Sequence, residues 1–177
     1  MHRALDADDR LQAIQKIVLD NFQSEIGNMR VSVGSDHRGL HQRKIIGETI
    51  AALDHEVNDV GTPTTESCDY PDIAQLVAKS VASGESQMGI LVCGTGIGMS
   101  IAANKVKGIR AAMSPDENSA KFSRLHNDAN ILCLPGDNFD DDQLRSIIKL
   151  WLTTEFEGGR HARRLGKVAD LEADFGS

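Results

Sequence analysis

The alternation of short apolar runs with amphipathic stretches restricts this chain to a narrow set of folds. Five runs of strand length, "VSVG", "HEVNDVG", "MGILVCG", "GIRAAMS" and "ANILCLP", are separated by segments with helical periodicity. In the first such segment Ile46, Ile50 and Leu53 share one face, the spacing of a helix laid on a core. Pro71 opens a helix predicted to run through Val81, and Pro115 stands near the start of another. "DDDQLRSIIKLWLTTEF" predicts a long amphipathic helix with its acids at the positive end. Strands alternating with helices imply a parallel sheet covered on both faces. Right-handed crossovers then give a Rossmann-like, doubly wound α/β sandwich of three layers with five strands. Aromatic residues are only 4% of the chain, which favours aliphatic strands buried on both faces. Ligands of such folds bind at the carboxyl ends of the strands. "GSDHRG", "GTPTTESCDYP", "CGTGIG" and "LHNDAN" are assigned there.

A chain of 177 residues is long enough for one substantial core and too short for two comfortable domains. Residues 1–29 read as an added helix, with Leu11, Ile14, Val18 and Phe22 at helical spacing and Asp8 or Asp9 as cap. Residues 30–177 form the main domain, ending in a helical arm after "EGGRHARR". The net charge of −7 argues against nucleic-acid or acidic-membrane partners. The polar N-terminus does not resemble a signal peptide, and no run reaches membrane-spanning length. Cys68, Cys93 and Cys133 lack zinc-type spacing and do not pair evenly, as expected of reduced thiols in a soluble cytoplasmic protein.

"CGTGIGMS" carries the chemistry. Gly94, Gly96 and Gly98 allow a tight turn that exposes N–H groups beside a helix start, a cradle for an anion. A dinucleotide fingerprint would need Gly or Ala where Met99 stands, and no Walker lysine follows. Cys93 reads either as a buried structural residue or as a strand-tip thiol acting as base or nucleophile. Asp36 and His37 follow the first strand, where Asp36 could equally cap the next helix. His126 could serve only to complement a helix dipole. Arg160 and Arg164, at i and i+4 behind Gly158 and Gly159, make a solvated basic face or a grip on phosphate.

Taken in this order, these residues resemble the ribose-5-phosphate isomerase type B family, which includes galactose-6-phosphate isomerase. The matching text is "VGSDHRG", "DVGT", "CDYPDIA", "GILVCGTGIGMSIAANKVKGIRAA", "SRLHNDANIL" and "WLTTEFEGGRHARR". The resemblance implies an aldose–ketose isomerase of sugar phosphates that needs neither metal nor cofactor and works through a cis-enediolate. It makes Cys93 the base, with Thr95 and His126 opening the sugar ring. Asp36 and Asn127 would hold hydroxyls or relay protons, and Gly94, Gly96 and Gly98 would face the oxyanion. His37, Arg160 and Arg164 would hold the phosphate, the arginines reaching the site of a partner subunit in a homodimer or homotetramer.

Many members of that family carry a phosphate-binding arginine eleven positions after the histidine of "HN", where this chain has Asp137. Arg38 or Arg163 is positioned in sequence to supply the missing charge. Ribose 5-phosphate is the expected substrate, with tetrose 4-phosphates and hexose 6-phosphates as alternatives. A sugar-phosphate sensor without catalysis would not require Asp36, Cys93, Thr95, His126 and Asn127 together. An NAD-linked oxidoreductase would be stabilised against heat by dinucleotide.

Overall fold

The computed structural model describes residues 27–175, so the helix expected in residues 1–29 lies almost wholly outside the described residues. The elements alternate as read: β1 Arg30–Ser35, α1 Leu40–Ala51, β2 Glu56–Asp59, α2 Tyr70–Ala82, β3 Met88–Cys93 and α3 Ile97–Ala103. There follow β4 Ala111–Met113, α4 Glu117–Asn127, β5 Ile131–Pro135, α5 Asp141–Thr153 and α6 Arg160–Phe175. All strand pairs are parallel, in the order β2-β1-β3-β5-β4. The strand sequence therefore reverses between β1 and β3, which leaves a crevice outside their carboxyl ends.

Each face of the sheet has its own core. Ile90, Val92, Leu132 and Leu134 pack with Ile46, Ile50, Leu144, Ile148 and Trp151 from α1 and α5. Alternate residues, Leu91, Cys93, Ile131 and Cys133, face Val77 of α2 and Met99 of α3. This period-two division explains why the central strands read as continuous apolar runs. Asp140 and Gln143 form a capping box that starts α5. Trp151 is fully buried, and its indole N–H donates to Ser123 Oγ at 3.1 Å. Trp151→Ala should destabilise the fold by about 3–5 kcal/mol, read as a fall in the urea midpoint.

Two of the boundaries that differ from expectation have a visible cause. α5 stops at Thr153, because Thr154 turns to extended backbone at ψ 121°. β4 is reduced to three residues. The segment before it is claimed by other partners: Gly108 N–H donates to the Glu172 carboxylate at 2.9 Å and Arg110 N–H to Asn130 Oδ1 at 2.8 Å.

Candidate active site

At the switch point, Cys93 closes β3 with its side chain on the α2/α3 face, only 6% exposed. The next turn aims Gly96 N–H at Cys93 Sγ, 3.2 Å away. Gly96 has φ +74°, and a Cβ there would sit 3.0 Å from the Leu134 carbonyl carbon, so only glycine fits without strain. Gly94 and Gly98 permit close approach instead. The Arg38 guanidinium lies over Gly94 and the Tyr70 ring over Gly98, each 2.8 Å from where a Cβ would stand. Thr95 is exposed at the rim, its Oγ1 accepting from Ile97 N–H at 3.4 Å.

Asp36 is 7% exposed and is tied to β3 through its N–H, which donates to Val92 O at 3.3 Å. Its carboxylate does not cap α1; Oδ1 accepts from Arg38 N–H at 2.9 Å and closes a local turn. His37 Nδ1 accepts from Cys68 N–H at 3.4 Å, which draws in the loop of "TESCDY". Behind Cys93, its carbonyl accepts from Gly136 N–H at 2.8 Å, and Gln42 donates to Gly136 O at 2.5 Å. The following residue, Asp137, holds Arg38 Nη2 at 2.5 Å. Of the two arginines proposed to replace the missing charge, Arg38 therefore stands at this edge, whereas Arg163 belongs to α6.

The assignment of "LHNDAN" to the carboxyl ends is corrected. α4 runs back antiparallel to the strands it connects, so His126 and Asn127 arrive at the amino edge. There Gly89 N–H donates to Asn130 O and Asn130 N–H to Arg110 O. β5, Ile131–Pro135, alone separates the edges by about 13 Å, at roughly 3.3 Å per residue. Arg160 and Arg164 belong to the same edge, because α6 starts against α4: Glu157 N–H donates to Leu125 O at 3.0 Å. Within one chain the residues named from the sequence thus lie in two groups, one at each edge of the sheet. Asp36, His37, Cys93, Gly94, Thr95, Gly96 and Gly98 make one, and His126, Asn127, Arg160 and Arg164 the other.

Sequence reasoning missed Tyr70, Glu157 and His161. Tyr70 was visible within "CDYP" without an assigned role. The other two meet His126 only in three dimensions. The His126 and His161 rings stack at 4.1 Å with 4° between planes. Glu157 Oε2 is 3.7 Å from His126 Nε2 and 3.9 Å from His161 Nε2. Burial, then His126 and the arginines, push the His161 pKa down, against an upward pull from Glu157. The three ligand atoms lie within 4.8 Å of one another, close enough to consider a cation. Parallel rings, however, send their in-plane lone pairs side by side rather than to one point. That arrangement sets one carboxylate beside two imidazoles without a common point for a cation. Elsewhere, burial first and Cys93 second push the Cys133 thiol pKa up, so Cys133 stays protonated and inert.

A doubly wound sheet with a cysteine, a carboxylate and a glycine loop at its switch point has the place and the chemistry for a small-molecule site. Residues 31–168 match the model of the ribose/galactose isomerase family. The ribose-5-phosphate isomerase B of Escherichia coli is 41% identical over 143 residues, 81% of this chain and 96% of that protein. Among solved structures, Clostridium thermocellum ribose-5-phosphate isomerase B superposes with TM-score 0.81 at 47% identity, covering 83% of this chain and 99% of the other. The Mycoplasma genitalium ribose-5-phosphate isomerase B structure with bound ribulose-5-phosphate gives TM-score 0.78 at 41% identity, covering 82% and 97%. The chain belongs to the ribose/galactose isomerase family and is an isomerase. No helix among the described residues is long and apolar enough to cross a membrane.

Proposed function

We propose that this isomerase interconverts an aldose phosphate and a ketose phosphate, ribose 5-phosphate and ribulose 5-phosphate first among them, in a site shared by two copies of the chain. The observation that carries the reading is the Gly96 N–H held on Cys93 Sγ at the switch point, beside buried Asp36. A hydrogen next to a carbonyl is a weak acid, and its removal leaves charge on oxygen. Cys93 takes the C2 proton of the open aldose and returns it to C1. Backbone N–H groups of Gly94–Gly98 receive the enediolate oxygen, which favours the transition state over the ground state. Asp36 and Asn127 hold the sugar hydroxyls, and the Asp36 carboxylate carries the hydroxyl proton between O1 and O2. Thr95 and His126 open the furanose, and His37, Arg160 and Arg164 bind the phosphate.

Two features support sharing between copies. His126, Asn127, Arg160 and Arg164 stand a sheet's length from the Cys93 of their own chain. The α2/α3 face also leaves Ile97 50% and Ile101 58% exposed, with Met113 beside them at 37%. Apolar surface of this kind marks an association face. A coupled assay on four-, five- and six-carbon sugar phosphates tests the reading. Ribose 5-phosphate should turn over best, and failure of every sugar tested would overturn the proposal.

The Arg38–Asp137 pair adds a prediction. Arg38 covers Gly94 at the rim, and one carboxylate contact leaves its other N–H groups free for substrate. Arg38→Ala should raise KM about 10- to 100-fold, the loss of a hydrogen bond to a charged group at ~1.5–3 kcal/mol. The kcat should hold nearly constant, as for uniform binding. Steady-state kinetics with Arg163→Ala as comparison checks it, and an unchanged KM in both variants refutes the assignment.

A further inference from the structure

Two imidazoles stacked face to face cannot both carry charge at low cost, since like charges at such separation oppose the second protonation. His126 and His161 stand in this relation, at 4.1 Å. Their environments differ. His161 is 4% exposed, and its Nε2 accepts a hydrogen bond from Arg160 Nε at 3.1 Å. An acceptor at Nε2 places its hydrogen on Nδ1 and makes the ring neutral. His126 is half-buried, rests against Phe122 on its own helix, and has the Glu157 carboxylate 3.7 Å from Nε2. The charged groups around the pair are Glu157 on the segment before α6, and Arg160 and Arg164 on α6. Arg124 of α4 is turned away onto Asp128.

We propose that His161 is a positioning residue which, by staying neutral and stacked on His126, assigns the pair's single ionising proton to His126, with Glu157 as counter-ion. This rests on the ring-opening role given to His126 above. The consequence is directional. A neutral His161 fixes the plane of the His126 ring and removes a competing site for its proton. Glu157 stands 3.7 Å from His126 Nε2 as its counter-ion. Burial first, then His126, and after them the arginines favour the neutral form of His161 against the upward pull of Glu157, so its pKa lies below that of a free histidine.

The test uses the full-length protein with His161→Phe, His161→Gln and Glu157→Gln. Nitrogen-15 NMR, with the two stacked rings assigned among the six histidines by His126→Gln and His161→Gln, should show His161 remaining a neutral Nδ1–H tautomer at pH 6. A cationic His161 at that pH would overturn the proposal whatever the enzyme acts on. Kinetically, His161→Gln and Glu157→Gln should each slow consumption of the cyclic aldose at least tenfold and shift the acidic limb of its pH profile. Solvent deuterium exchange at C1 of the open ketose should change less than twofold, because it needs no ring opening. His161→Phe, which keeps the stack, should retain more aldose turnover than His161→Gln. Parallel loss of both reactions would mean a merely structural role, and no loss of either would mean no role. If wild-type protein turned over no sugar phosphate, the reading of function would fail while the NMR titration still decided the proton assignment.

Discussion

Cys93→Ala is expected to lower kcat at least about a thousandfold, within the range ascribed to a positioned general base. The KM should shift only a few-fold, because the base acts in the transition state and contributes little to ground-state binding. The substitution removes one sulfur from a site facing α2 and α3, and Met99 and Leu91 still pack there. A small change in thermal midpoint together with a large loss of rate would separate chemistry from folding. Cys93→Ser should be nearly as slow, since a hydroxyl of the same shape is a far weaker base at neutral pH. Alkylation gives an orthogonal check. Cys133 is fully buried and its pKa is raised, so it should not react. Cys68 is partly exposed and removable by Cys68→Ala. Iodoacetamide should then inactivate the Cys68→Ala protein in step with modification of Cys93, with protection by sugar phosphate. Turnover that survives either treatment would exclude Cys93 as the base.

The sequence disclosed what local chemistry determines. Leu91 and Cys93 face one layer and Ile90 and Val92 the other, so a strand buried on both sides had to read as an unbroken apolar run. Gly96 was legible because one position required φ above zero, and Cys93 because it is the last residue of that strand. Asp36 was found for its place after β1, but its alternative role was misjudged. Its carboxylate bonds Arg38 N–H within a turn, two residues on, before α1 begins. The error over His126 has a topological cause. A motif next to a strand was assigned to the carboxyl end, yet it precedes β5, where a returning crossover helix must finish. Glu157 and His161 left no local signal, because they meet His126 across about thirty residues of chain. Arg38 and Asp137 are separated by 99 positions and meet only because β1 and β5 flank β3.

That division into two edges leads to the most demanding expectation. Cys93→Ala and His126→Ala should each be almost inactive alone, the second by on the order of a hundredfold if His126 acts as general acid on the ring. Co-expressed, they should recover activity. In a mixed dimer, one site pairs Cys93 of the His126→Ala chain with His126 of the Cys93→Ala chain, and both are intact. The other site carries both lesions. Random pairing makes half the dimers mixed, each with one working site of two, so about a quarter of the wild-type rate should return. Cys93→Ala co-expressed with Cys93→Ser should recover nothing, because every site then lacks its base. Arg160→Ala with Arg164→Ala should complement Cys93→Ala but not His126→Ala, since both arginines travel with His126 on the amino edge. Failure of mixed dimers to recover turnover, with their formation verified by differential tags, would mean that each chain completes its own site. α6 and the end of α4 would then have to move by more than the length of β5 to reach Cys93.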